Sequence, residues 1–199
     1  RIAAGTFLAA ILSTKGSGIV NGINPEHLPM ELKKLGEMGA KIDSTETSIN
    51  IEYQDNLQSI ELSTLPFPGI ATDLQPIFGS ALLLAEGTSI LTENVYDQRF
   101  QWIPEVQRMG ANIQTGWQHA MIKGVKTLSG APVHATDIRT GASLVIAALQ
   151  ADGLSTITGI DHINRGYEDI VASLTSLGST IEYNDCLLYT SDAADEGVR

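Results

Sequence analysis

The sequence predicts an α/β (α+β) fold with helices inside and sheets outside. Two observations predict it: a threefold internal repeat, and helices that have no polar face. Three segments end alike, "LGEMGAKI" at 35–42, "VQRMGANI" at 106–113 and "LTSLGSTI" at 174–181, with Gly39, Gly110 and Gly178 recurring at intervals of 71 and 68 residues. A second marker recurs with them: "KGSGIVNGI" at 15–23, "EGTSILTENV" at 86–95 and "DGLSTITGI" at 152–160. Self-similarity at a fixed spacing is the mark of a repeated structural unit. The units run over about 1–55, 56–126 and 127–184.

Each unit reads in the same order. An apolar helix comes first, in "GTFLAAILST", "LQPIFGSALLLAE" and "TGASLVIAALQA". These stretches are apolar nearly all round, so they must be buried on every side. A glycine stops each helix, since a helix C-terminus favours a residue that tolerates positive φ. Short β-branched strands follow in "GIVNGI", "SILTENV" and "STITGI". An amphipathic helix comes next, in "PMELKKLGEM", "WIPEVQRM" and "YEDIVASLTSL". Strands or hairpins close the units, in "KIDSTETSINIEY", "NIQTGWQHAMIKG" and "TIEY". Three fully apolar helices can bundle only if sheets sheathe them, which places three units around a pseudo-threefold axis.

Composition bounds the function. The chain has 199 residues, 43% hydrophobic and 18% charged, with a formal net charge of -11. Nucleic acid and anionic membrane surfaces both call for a basic face, so neither is expected as a partner. A small anion held by a local arginine cluster is compatible with that charge. Cys186, the single cysteine, has no internal disulfide partner. With no signal peptide or membrane-length apolar stretch in the sequence, a reduced cytoplasmic setting is expected. The four histidines show no metal-ligand spacing.

Several residues sit where chemistry could occur. Asp73 in "ATDLQ" (71–75) and Asp137 in "ATDIR" (135–139) precede helices at matching places in two units. Asp73 is readable as an N-cap or as a carboxylate that takes a proton, and Asp137 as the pure cap. Arg139 follows Asp137, whereas the matching residue after Asp73 is Gln75. The repeat therefore does not require charge there, which favours a ligand role for Arg139. Arg165 in "HINRGYEDI" and Arg99 in "YDQRFQWIPE" both precede the expected second helix of their units. A cation is unfavourable at a helix N-terminus, so each is either a solvated turn residue or part of an anion site. Val95 reads as strand packing or a backbone contact, and Thr72 as a support to Asp73. His162, Trp102, Trp117 and Tyr167 read as structural, and the acidic residues of 43–61 as a solvated face.

"ATDLQ", "ENVYDQRF…PEVQRMGA", "LSGAPVHATDIRTGASLV" and "HINRGYEDI", taken in this order with the threefold repeat, resemble the enolpyruvyl transferases over roughly residues 1–184. The resemblance implies one domain of a two-domain enzyme, an inside-out α/β barrel of three βαβαββ-like units. It implies transfer of enolpyruvyl from phosphoenolpyruvate to the 3-hydroxyl of UDP-N-acetylglucosamine in the first committed step of peptidoglycan synthesis, with no metal or organic cofactor. It assigns the attacking hydroxyl and its proton to Asp73, with Thr72 beside it, the amino sugar to the Val95 backbone, and the phosphoenolpyruvate anions to Arg99, Arg139 and Arg165. Asp137 is then a pure cap. The sister enzyme acting on shikimate 3-phosphate, a non-catalytic nucleotide-sugar module and a truncated reading frame are the alternatives. The family's N-terminal domain, with its cysteine loop and Lys-Asn pair, has no counterpart in the sequence, and Cys186 does not match that cysteine. The chain alone is therefore expected to be inactive. The tail 185–199 departs from the family and is expected to be disordered.

Overall fold

The structure is a computed structural model that describes residues 1–184 except Gln98. The tail 185–199 and the disorder expected of it lie outside the described residues. The backbone divides into two compact parts, Arg1–Glu168 and a part beginning at Asp169.

The first part opens with helix α1 (Ile2–Ser13), followed by β1 (Ser17–Asn21), α2 (Pro29–Glu37), β2 (Ala40–Ser44) and β3 (Ser48–Tyr53). The second unit contributes β4 (Glu61–Ser63), α3 (Gln75–Ala81), β5 (Thr88–Thr92), α4 (Ile103–Arg108), β6 (Asn112–Thr115) and β7 (His119–Lys123). Then come β8 (Leu128–Ser129), β9 (Pro132–His134), α5 (Ile138–Gln150), β10 (Ala151–Asp152), β11 (Thr156–Thr158) and the short helix α6 (Ile160–Asn164). The second part holds α7 (Ile170–Ser176), capped by the Asp169 side chain, which accepts from Ala172 N.

The three apolar helices pack on one another: α1 meets α3 and α5, and α3 meets α5. Every residue of α3 is buried, as a helix without a polar face requires. The strands form separate small sheets. One has the order β1-β3-β2, antiparallel throughout, and one has the order β4-β5-β7-β6, in which only the β4–β5 pair is parallel. Two parallel pairs, β8 with β10 and β9 with β11, serve the third unit. The mixed α/β class and the inner placement of the three helices thus follow the sequence pattern.

The repeated glycines do related work. Gly39, Gly110 and Gly178 have φ of +106°, +95° and +94°, the left-handed region that ends a helix without a Cβ penalty. The second marker is less uniform. Gly87 and Gly153 have positive φ, but in the first unit Lys15 takes that conformation, one residue before Gly16.

Two expectations are corrected. "TIEY" (180–183) forms no strand among the described residues. In units one and two the matching strand pairs with a second hairpin arm; in unit three the residues that would supply that arm lie past 184. Trp117 does not pack, being 86% exposed at the turn between β6 and β7, whereas Trp102 is fully buried. The solvated acidic face is borne out: Asp43, Glu46, Glu52, Asp55 and Glu61 are all exposed.

Close approach of α3 to Trp102 depends on Gly79, where an added Cβ would lie 2.5 Å from the indole Cζ2. Gly79→Ala is expected to cost about 1–3 kcal/mol by overpacking, read as a lowered midpoint in thermal or urea unfolding. The N-terminus of α5 is capped by Asp137, whose side chain accepts from the backbone N–H of Arg139 and Thr140. Burial pushes the Asp137 carboxyl up, but the Thr140 hydroxyl, those two N–H groups and the Arg139 charge outweigh it, holding the carboxyl below the usual aspartate range. A depressed native value stabilises the fold above the unfolded value of about 4 and loses that contribution as pH falls through the native value. Asp137→Ala should therefore cost about 1 kcal/mol near neutrality, with the deficit shrinking in unfolding curves taken at progressively lower acid pH.

Candidate functional site

The start of α3 and the start of α5 bring the predicted residues together. Thr72–Leu74 form a short 3-10 turn leading into α3. Neither that turn nor α3 is capped by a side chain, so the Asp73 carboxyl is free of the capping role that the sequence also allowed. It points instead at two arginines. Arg139 Nε donates to Asp73 Oδ1 at 2.6 Å, and Arg99 Nη2 lies 3.4 Å from the same oxygen. Arg99 Nε also donates to Thr72 Oγ1 at 3.1 Å. Four of the residues singled out in the sequence thus form one contact network drawn from two units.

The electrostatics follow from that geometry. The hydrogen bond it donates to Asp73 holds the Arg139 guanidinium above its ordinary range, against burial, and the Asp73 and Asp137 charges add to this. The Arg99 side chain is 12% exposed and stacks on an aromatic face, its Cζ 4.6 Å from the centroid of the Tyr96 ring. A guanidinium held between a carboxylate and a ring is well fixed in orientation. Arg139 engages Asp73 through Nε, and among the described residues neither of its Nη atoms has a hydrogen-bond partner.

Beside this network lies a cleft of about 320 Å³ lined by Pro76, Tyr96, Arg99, Gln101, Asp137, Arg139 and Thr140. Tyr96, Gln101 and Thr140 were not singled out in the sequence. Their signal was adjacency alone: Tyr96 follows Val95, and Thr140 follows Arg139. Gln75, which fills Arg139's place in the repeat, is fully buried in the core. The same repeat position therefore serves packing in one unit and the cleft in another.

Arg99 precedes α4, as expected. Arg165 likewise precedes the second helix of its unit, α7, but the helix it adjoins is α6. It terminates α6 with φ -72° and ψ -25°, and α7 begins only at Ile170. A cation at a helix C-terminus is favourable, which removes the electrostatic puzzle posed by the sequence. Arg165 is exposed, makes no ion pair among the described residues and does not line the cleft. Its neighbours approach the site, however. A Cβ on Gly166 would lie 2.6 Å from Ile138 Cγ2, at the first residue of α5. Tyr167 is buried, and its hydroxyl lies 2.8 Å from Thr6 Oγ1. Burial pushes the Tyr167 hydroxyl up, the Thr6 hydrogen bond pulls it down, and the Asp73 charge adds to the rise.

Val95 follows β5 and is 51% exposed, so strand packing does not explain it. Its backbone N–H donates to Glu93 Oε1 at 2.9 Å. Behind the Asp73 turn, the buried Glu31 of α2 accepts from Ala71 N at 3.4 Å. Burial pushes its carboxyl up, against the pull of backbone hydrogen bonds and the Arg1 charge. Nothing in the sequence marked Glu31 out from an ordinary charge on an amphipathic helix. Among the described residues no helix is long and apolar enough to cross a membrane.

The chain is similar to known proteins in sequence and in fold. Residues 1–174 match the family model described as EPSP synthase (3-phosphoshikimate 1-carboxyvinyltransferase). UDP-N-acetylglucosamine 1-carboxyvinyltransferase of Thermotoga maritima is 44% identical over 92% of this chain, and that of Nocardia farcinica is 42% identical over 92%. The chain spans 44% and 43% of those relatives' lengths. Among solved structures, the enolpyruvyl transferase NikO from Streptomyces tendae superposes with a TM-score of 0.80 at 26% identity, over 89% of this chain and 42% of that one. The EPSP synthase of Acinetobacter baumannii shares the fold, with a TM-score of 0.75 at 22% identity over 91% of this chain and 46% of that one. With a family match over most of its length and a cleft built from the motifs that carry the likeness, the chain belongs to the EPSP synthase family of enolpyruvyl transferases.

Proposed function

We propose that this chain contributes the acceptor-activating and part of the anion-binding machinery of an enzyme that transfers enolpyruvyl from phosphoenolpyruvate to the 3-hydroxyl of UDP-N-acetylglucosamine, releasing phosphate. The observation that carries the reading is the meeting of two guanidinium groups on one Asp73 oxygen beside the cleft. The names of its similar relatives support the same acceptor. In this reading Asp73 contacts the attacking hydroxyl, Thr72 stands beside it and the Val95 backbone meets the amino sugar. Arg99, Arg139 and Arg165 hold the carboxylate and phosphate of phosphoenolpyruvate. The three units form an inside-out barrel domain over 1–184, working in the cytoplasm against a further domain.

The geometry imposes an order on the chemistry. Both guanidinium groups occupy Asp73 Oδ1, so that oxygen has to be released before it can meet a substrate hydroxyl. An anion entering the cleft competes for the same donors, and bidentate binding to the Nη groups suits a phosphate or a carboxylate. As the anion draws Arg139 towards itself, Asp73 becomes free to accept the hydroxyl proton. The sugar oxygen then bonds to the central carbon of phosphoenolpyruvate while the methylene carbon gains a proton. Loss of that proton and departure of phosphate restore the double bond. The acid for the methylene carbon is assigned to the further domain.

Calorimetry with inorganic phosphate tests the anion assignment. Arg139→Ala and Arg99→Ala should each weaken binding by about tenfold or more, as expected for losing a charge-assisted hydrogen bond. Asp73→Asn should strengthen it, since the competing charge is gone. Phosphate binding that is indifferent to both arginines would remove the site. UDP-N-acetylglucosamine should give a binding heat that shikimate 3-phosphate does not, and the reverse pattern would point to the sister reaction. With phosphoenolpyruvate and UDP-N-acetylglucosamine together, the 199-residue chain should release no phosphate at enzymic rates.

A further inference from the structure

We propose that Glu93 is a positioning residue: with the Thr64 hydroxyl, its buried carboxyl group fixes the loop that presents Tyr96 and Arg99 to the anion cleft. The inference rests on the reading of the cleft given above. Glu93 follows β5 directly and is 0% exposed, as is Thr64, which follows β4. Glu93 Oε1 accepts three hydrogen bonds, from Thr64 Oγ1 at 2.7 Å, Val95 N at 2.9 Å and Tyr96 N at 3.0 Å. Thr64 closes the knot. Its Oγ1 accepts from Asn94 N at 2.9 Å, and its carbonyl accepts from Asn94 Nδ2 at 3.1 Å.

A polar knot of this kind is costly inside a protein, and apolar side chains would join β4 to β5 at less cost. The second carboxyl oxygen, Oε2, is buried without a partner among the described residues, which adds to that cost. What an aliphatic side chain cannot do is hold two successive backbone N–H groups. That hold sets the chain direction at Val95 and Tyr96, where the loop leaves the sheet. Tyr96 is then gripped from its other side, because its carbonyl accepts from Arg99 N at 3.1 Å and its ring faces the Arg99 guanidinium.

The other arm of the knot leads to the base. From Thr64 the chain enters the loop 65–69, whose ends are tied by Leu65 N donating to Ile70 O at 3.0 Å. Ala71, Thr72 and Asp73 follow at once. One knot therefore anchors the roots of two loops whose tips meet in the Arg99–Thr72 and Arg99–Asp73 contacts. Glu93 does not line the cleft, so its part is to hold rather than to react.

The test compares the full chain with its Thr64→Val, Thr64→Ser and Glu93→Ala variants. Hydrogen exchange by NMR follows the Val95 and Tyr96 amides and the Arg99 Nε–H, with the Ile122 amide in β7 as an internal reference. Calorimetry with inorganic phosphate is run in parallel. Thr64→Val should speed exchange at those three sites by about tenfold relative to Ile122 and weaken phosphate by a similar factor. Thr64→Ser, which keeps the hydroxyl, should match the parent. Unchanged exchange at Val95, Tyr96 and Arg99 in Thr64→Val would overturn the proposal. So would acceleration that Ile122 shares equally, since that marks a purely structural knot. If Glu93→Ala fails to fold, the valine–serine pair decides. If the parent binds no phosphate while Thr64→Val still loosens Arg99 selectively, the anion reading falls and the anchoring role stands.

Discussion

One carboxyl oxygen, Asp73 Oδ1, is shared by guanidinium groups that reach it from two different units of the repeat. Much of the structure exists to make that meeting possible. Asp73 arrives on the turn before α3, Arg139 on the first turn of α5, and Arg99 on the loop before α4. The first two converge because α3 and α5 pack directly against one another as inner helices with their beginnings at the same end. A helix buried on every side has little freedom to slide, because displacing it opens cavities. Burial of oily helix surface is therefore converted into a fixed distance between the Asp73 carboxylate and the Arg139 guanidinium.

The same contact binds two chemical roles together. A general base must be able to take a proton, and an anion clamp must offer unsatisfied donors. On the proposed reading each role blocks the other until a further anion arrives. On the same reading, a local cluster of this kind reconciles a net charge of -11 with the proposed anionic substrates. The field close to one largely buried and one half-buried arginine outweighs distant, screened carboxylates.

The fold was largely legible because its constraints are local and repeated. Apolar helices had to go inside, and glycines at 39, 110 and 178 had to end helices at positive φ. What failed depended on partners. "TIEY" could be a strand only with a second arm beside it, and Trp117 could be buried only with something to cover its hairpin. Arg165 precedes α7 as the pattern required, but the short helix α6 that it terminates was not announced by its neighbours. At the site, Asp73 and Arg139 were legible by comparing units, since Gln75 showed that the repeat did not need a cation. Asp73 as cap or as ligand group could not be separated by sequence, because the two uses demand the same residue before a helix. Asp137 takes the capping role and Asp73 does not. Glu93, Thr64 and Glu31 were illegible, because their importance lies in pairings that span 29 or 40 residues.

The most direct measurement of the central claim is a crystal structure of this chain with inorganic phosphate bound. The account predicts phosphate on the Nη groups of Arg139, with the Arg139–Asp73 contact lengthened beyond the 2.6 Å found here and the Asp73 carboxyl turned toward the cleft. Phosphate seated elsewhere, with that ion pair unaltered, would contradict the account.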